Sequence, residues 1–134
     1  MKGWRGVERR KLARLESPLP VQFSLYHVLG RREISRRLGG MVSNASLEGV
    51  CLESNVVLVD GSHLFSEAMV GEKRLRLEIG LPEEPETITA VGKVVWYDLS
   101  PAGSPYRFRA GVYLTEIDGS ARDIWKGFLT SLRK

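Results

Sequence analysis

The chain has little that would staple it, span a membrane or address it for export. Cys51 is the single cysteine among 134 residues, so no internal disulfide can form, and a reducing cytoplasm is the natural setting. No run approaches the roughly 20 apolar residues of a membrane span. The basic start MKGWRGVERRK is not followed by the apolar stretch of a secretory signal. Catalytic and metal-binding sets are missing too. His63 and Glu67 could share a helical face, but one histidine and one carboxylate do not make a metal site, and His27 lies in a strand-like stretch elsewhere. No Ser/His/Asp set or pair of acids suited to hydrolysis is assembled, so no enzyme is expected. Cys51, between Val50 and Leu52, reads as a small core residue and not a nucleophile. Internal repeats and low-complexity tracts are absent as well.

What is present reads as one globular domain. Hydrophobic residues make up 43% and charged residues 27%, enough for a real core under a charged surface. The charge is unevenly spread. Residues 1–37 hold ten Lys/Arg against three Asp/Glu, a net +7, while the remaining 97 hold ten against thirteen, a net −3. A basic segment on a mildly acidic body points to a local anion site and away from a surface coated for nucleic acid.

The basic segment contains ERRKLAR, residues 8–14. Arg10 and Arg14 are four apart and share a side of the chain in either regular conformation. Their side chains would be about 6 Å apart in a helix and roughly 13 Å apart in an extended chain. The prolines of ESPLP, which follows, disfavour a continuing helix. A second polar cluster is SNASLEG, residues 43–49. In an extended chain Asn44 and Ser46 present an amide and a hydroxyl on one face. Gly49 allows a positive φ or close approach of a ligand to the backbone. The same residue types are also common turn formers.

Most of the remaining chain reads as strands. LRLEIGL (75–81) places Leu75, Leu77, Ile79 and Leu81 on one face. TITAVGKVVWY (87–97) places Ile88, Ala90, Val94 and Trp96 on one face and Val91, Val95 and Tyr97 on the other, as in a strand covered on both sides. YRFRAGVYL (106–114) sets Tyr106, Phe108, Ala110, Val112 and Leu114 against Arg107 and Arg109. PLPVQFSLYHV and GVCLESNVVLV complete the set, with GLPEEPE and LSPAGSP as reversals. SARDIWKGFLTSLRK reads as the one clear helix, about 120–133. Ser120 and Asp123 form a capping-box spacing. Ile124, Phe128 and Leu132 make an apolar stripe that Trp125 and Leu129 widen. Short strands with one terminal helix suggest a small antiparallel barrel or sandwich closed by that helix.

The order of the two polar clusters narrows this. Arg10-Lys11-Leu12-Ala13-Arg14 followed by Asn44-Ala45-Ser46-Leu47-Glu48-Gly49, then LRLEIGLP, GKVVWY and RFRAGVYLTEI, resembles the PilZ-domain family over nearly the whole chain. The resemblance implies a mostly β fold, a six-stranded antiparallel β-barrel with a C-terminal α-helix, and a bacterial receptor for cyclic di-GMP needing no other cofactor. Arg10 and Arg14 would contact guanines and phosphates, and Asn44, Ser46 and Gly49 would complete the guanine site. Guanidinium groups suit that ligand, because they pair bidentately with guanine O6 and N7 and with phosphate oxygens. Arg9 would flank the ligand, and some members of the family take up two intercalated molecules.

On this reading residues 1–15 form a flexible basic segment carrying the arginines, and residues 16–134 form the barrel domain. A stand-alone module would act in trans on an unidentified protein effector, in motility, pili or exopolysaccharide and biofilm formation. It could do so as a monomer or a homodimer. A ligand-independent adaptor is the alternative, and a nucleic-acid-binding barrel is disfavoured because the basic segment offers only Trp4 for stacking. GRREISRRLGGM (30–41) and VDGSHLFSEAMVGEK (59–73) are longer than simple connections require. The second has room for one helical turn.

Overall fold

Strand alternation and a few bulges account for most of the architecture. The computed structural model describes residues 12–132. Its elements are β1 (Ala13–His27), β2 (Arg32–Glu33), β3 (Leu38–Ala45), β4 (Gly49–Ser54), β5 (Leu58–Val59), β6 (Ser62–His63), α1 (Leu64–Glu67), β7 (Lys73–Ile79), β8 (Ile88–Leu99), β9 (Phe108–Ile117) and α2 (Gly119–Ser131). Six strands run in the order β1-β3-β4-β9-β8-β7, every pairing antiparallel, and β7 returns to pair with β1. This is the expected closed six-stranded barrel with a C-terminal helix. β1 closes it by serving two neighbours: Leu19–Phe23 pair with β3, and Val21–His27 pair with β7. Closure removes the free edges that an open sheet would expose.

The inward face is apolar along every barrel strand. Leu75, Leu77 and Ile79 of β7 are buried with Leu81 just beyond, as their alternation predicts. They meet Leu19, Val21, Phe23 and Leu25 of β1, Val50 and Leu52 of β4, Ile88 and Val94 of β8, and Val112 of β9. Each such burial is worth about 1.5–3 kcal/mol relative to exposure.

Two elements plug the barrel. The 59–73 segment does contain the expected helical turn, α1, whose Leu64 and Phe65 are fully buried. The Phe65 ring stacks on Phe23 with centroids 5.7 Å apart. His63 caps that turn, its Nδ1 accepting a 3.2 Å hydrogen bond from the Ser66 N–H, and Glu67 pairs with Lys73. At the C-terminus, α2 packs through Trp125, which is 1% exposed, aided by Ala121, Phe128 and Leu129.

The helix differs from its sequence reading in two respects. It begins at Gly119 with Asp118 at the N-cap position, and Asp118 makes no side-chain capping bond, so the Ser120 capping box is not formed. The buried stripe centres on Trp125, while Ile124 and Leu132 remain 41% and 49% exposed. Of the five apolar positions read from the sequence, Trp125, Phe128 and Leu129 make the contact, and Ile124 and Leu132 lie at its margin.

The 30–41 segment extends the sheet at a corner. β2 pairs Tyr26 with Glu33 and His27 with Arg32. Arg37 donates to Glu33 at 2.9 Å and to Glu78 at 3.2 Å, and Arg76 donates to Glu78 at 2.6 Å. The Arg37 hydrogen bond, together with one from the Ser24 hydroxyl, holds the Glu33 carboxyl down at about 2.

Candidate functional site

The two polar clusters, some thirty positions apart in the chain, meet on adjacent strands. Arg14 lies directly opposite Asn44 across the β1–β3 pair, and Ala13 lies opposite Ala45. The register that does this is not a continuous one. Between Arg14 and Leu19 the β1–β3 ladder shifts, with more residues on β1 than on β3. Pro18 falls inside this shift, where its missing N–H costs the ladder nothing. The β3–β4 hairpin then turns back, with the Ser46 N–H donating to the Gly49 carbonyl at 2.8 Å. Gly49 opens β4 opposite Tyr113 and is not among the positive-φ glycines, so its proposed conformational role is not used here.

From Arg14 the row continues across the outer face of the barrel. Asn44 lies opposite Cys51, Cys51 opposite Gly111, and Gly111 opposite Trp96, so five strands contribute one residue each. The Trp96 indole covers the place where Gly111 has no side chain, and a Cβ there would overlap the ring. The Arg109 guanidinium lies 5.7 Å from the Trp96 ring centroid, within cation–π range. Leu12, 6% exposed, packs on this outer face with Cys51, and Val95, Trp96 and Tyr113 surround the pair. Cys51 is therefore buried, as expected of a packing residue, but against Leu12 and outside the barrel core.

Trp96 is the residue that alternation misplaces. Its spacing sets it inside with Ile88, Ala90 and Val94, but the β8–β9 register shifts between Val94 and Trp96 and turns the indole outward. Gly111 in RAGVY is the sequence signal that could have shown this, since an interior strand glycine often marks the close approach of another group.

A groove of about 460 Å³ lies between this corner and the C-terminal half of α2. Arg14, Ser46, Leu47, Lys126, Leu129 and Thr130 are among the residues that line it. Four of the residues singled out in the sequence are thus gathered: Arg14 and Asn44 face each other, and Ser46 and Gly49 close the adjoining hairpin. Arg9 and Arg10 lie outside the described residues. β1 begins at Ala13 and buries Leu15, so the last residues of the expected N-terminal segment are barrel strand.

A guanidinium, an amide and a hydroxyl on one barrel corner can hold an anion that also carries hydrogen-bonding groups. Among the described residues no group of His, Cys, Asp and Glu is placed to hold a metal ion. No described helix is long and apolar enough to cross a membrane.

Fold and site together define a small closed β-barrel that carries a cationic, polar corner under its terminal helix. No family model matches the chain, and no curated protein matches it in sequence. Among solved structures it is similar to the Bacillus subtilis inhibitor of motility, MotI/DgrA, with a TM-score of 0.59 and 21% sequence identity. The likeness covers 95% of this chain and 53% of that one, so the chain spans about half the length of the protein whose fold it shares.

Proposed function

We propose that this protein is a PilZ-type receptor for cyclic di-GMP that changes conformation on binding and regulates a partner protein. The observation that carries the reading is the β1–β3 register, which sets Arg14 of the R-x-x-x-R motif opposite Asn44 of N-x-S-x-x-G. The end of one motif and the start of the other, far apart in the chain, are thereby adjacent in space. The barrel shared with a protein named for inhibiting motility supports the same general kind and makes motility the first process to test.

Each ligand molecule brings two phosphate charges and two guanines. Arg14 would engage phosphate or a guanine edge, and a good bidentate guanine contact is worth about 1–3 kcal/mol. Asn44 and Ser46 would read the base edge. Arg10, two residues before the buried Leu12, would reach the ligand from the other side. Leu12 would be the point about which the N-terminal segment repositions.

Calorimetric titration with cyclic di-GMP, GTP and a short oligonucleotide tests the reading. Saturable binding of cyclic di-GMP alone is expected. Preference for the oligonucleotide would replace the receptor with a nucleic-acid-binding barrel, and no binding at all would leave a ligand-independent adaptor.

A further inference from the structure

The groove beside Arg14 has a second wall that the motifs do not account for. Among the described residues its cationic lining side chains are Arg14 from β1 and Lys126 from α2, and no described carboxylate lines it. Among the described residues neither cation is in an ion pair, whereas Arg31, Arg36, Arg37, Lys73 and Arg76 are each paired with an acid. Two positive charges facing one cleft repel each other, and a bound anion relieves that repulsion. The apolar part of the lining, Leu47 and Leu129, suits the face of a base. The Thr130 hydroxyl is already committed, donating to the Lys126 carbonyl at 2.8 Å. The groove also faces the carbonyl end of α2, whose dipole disfavours an anion. Lys126, in the turn before the last, brings a positive charge to the groove from the helix.

Resting on the receptor reading above, we infer that Lys126 is a ligand-binding residue. It would supply a phosphate contact from α2, so that cyclic di-GMP bridges the barrel wall and the terminal helix. A flexible ammonium serves a phosphate as a point charge, which is what a helix position across an open groove can provide. Occupancy of the site would then be felt by α2, which is held to the barrel chiefly through Trp125. The helix becomes an element through which binding can be reported to a partner.

The test is titration of the full chain with cyclic di-GMP in the unmodified protein and in Lys126→Ala, Lys126→Glu and Lys126→Arg. Arg36→Ala, an exposed cation that does not line the groove, serves as the control for general electrostatics. Lys126 is exposed, so the variants should fold and melt as the parent does. Lys126→Ala should weaken binding by about threefold to tenfold, Lys126→Glu by more than tenfold, and Lys126→Arg by no more than about twofold. Hydrogen exchange should show α2 amides protected by ligand in the parent and less so in Lys126→Ala. Parent-like affinity in both Lys126→Ala and Lys126→Glu, with binding intact in the unmodified protein, would overturn the inference and spare the receptor reading. Equal weakening by Arg36→Ala would also overturn it, because the effect would then be one of net charge. An unmodified protein that does not bind at all would remove both.

Discussion

Arg14 reaches its partner because β1 departs from a regular ladder. Continuing the Leu19–Val42 register without a break would set Arg14 opposite Leu47 and not opposite Asn44. Asn44 is itself re-aimed by a shift between Val42 and Asn44, and Trp96 by one between Val94 and Trp96. Bulges fall on both strands, β1 and β3, that bring Arg14 and Asn44 together, which is where bulges commonly turn a side chain toward a site. Apart from Gly111 facing Trp96, these shifts leave no clear mark in the sequence, so the residue types of the site were legible there and their outward geometry was not. Arg14 is exposed and in no ion pair among the described residues, and this separates its role from stability. Arg14→Ala should weaken cyclic di-GMP binding by about tenfold or more, a loss of ~1.4 kcal/mol per decade. Its ligand-free melting temperature should match that of the parent. Tight binding retained in the variant, measured by calorimetry, would remove Arg14 from the site.

The strands and helices were legible where one rule acted alone. β7 alternates without interruption, and the inward positions read from its sequence are the buried ones. α2 was legible as a helix, but its contact was not, because the stripe Ile124, Phe128 and Leu132 has the same spacing whichever neighbour does the packing. Tertiary placement centred the contact on Trp125, which the sequence places at the edge of that stripe. Trp125→Ala should therefore cost about 3–5 kcal/mol, and Ile124→Ala should stay within about 0.5 kcal/mol. Urea unfolding of the two variants would reverse this assignment if Ile124→Ala proved the more damaging. The β2 corner carries a pH dependence with a definite sign. The Glu33 carboxyl is lowered from 4.5 to about 2, first by its bond from Arg37 and then by that from Ser24. Its contribution is fully present above about 4.5 and is lost as pH falls toward 2. Arg37 is 43% exposed, so solvent screens the pair, and Glu33→Gln should cost only about 1 kcal/mol at neutral pH. The gap between variant and parent should close as acid is added. A constant gap from neutrality to pH 2, in denaturant titrations at several pH values, would show that the corner holds by packing and not by charge.

Taken as one object, the chain carries its excess positive charge in one stretch of its sequence, and Arg14 of that stretch lies at the groove. The excess of +7 in residues 1–37 stands against −3 in the rest of the chain. Lys126 adds a cation from the far side of the groove, although it belongs to the acidic part of the sequence. If the N-terminal segment carries Arg9 and Arg10 over the corner, as the receptor reading requires, four cations would surround the ligand: Arg9, Arg10, Arg14 and Lys126. A single cyclic di-GMP carries two negative charges, and a stacked pair carries four. Four charges held together in a partly closed groove need matching cations at short range, since a salt atmosphere with a Debye length of about 8 Å screens distant ones. Two ligand molecules per chain balance this set, and one leaves an excess. The expected titration endpoint is therefore two per chain. Arg9→Ala should lower it toward one while the first binding event, held by Arg10 and Arg14, keeps its affinity. Calorimetry on accurately quantified, fully active protein decides the matter: an endpoint of one in the unmodified chain overturns the paired ligand, and an endpoint of two that survives Arg9→Ala shows that Arg9 is not the residue that admits the second molecule.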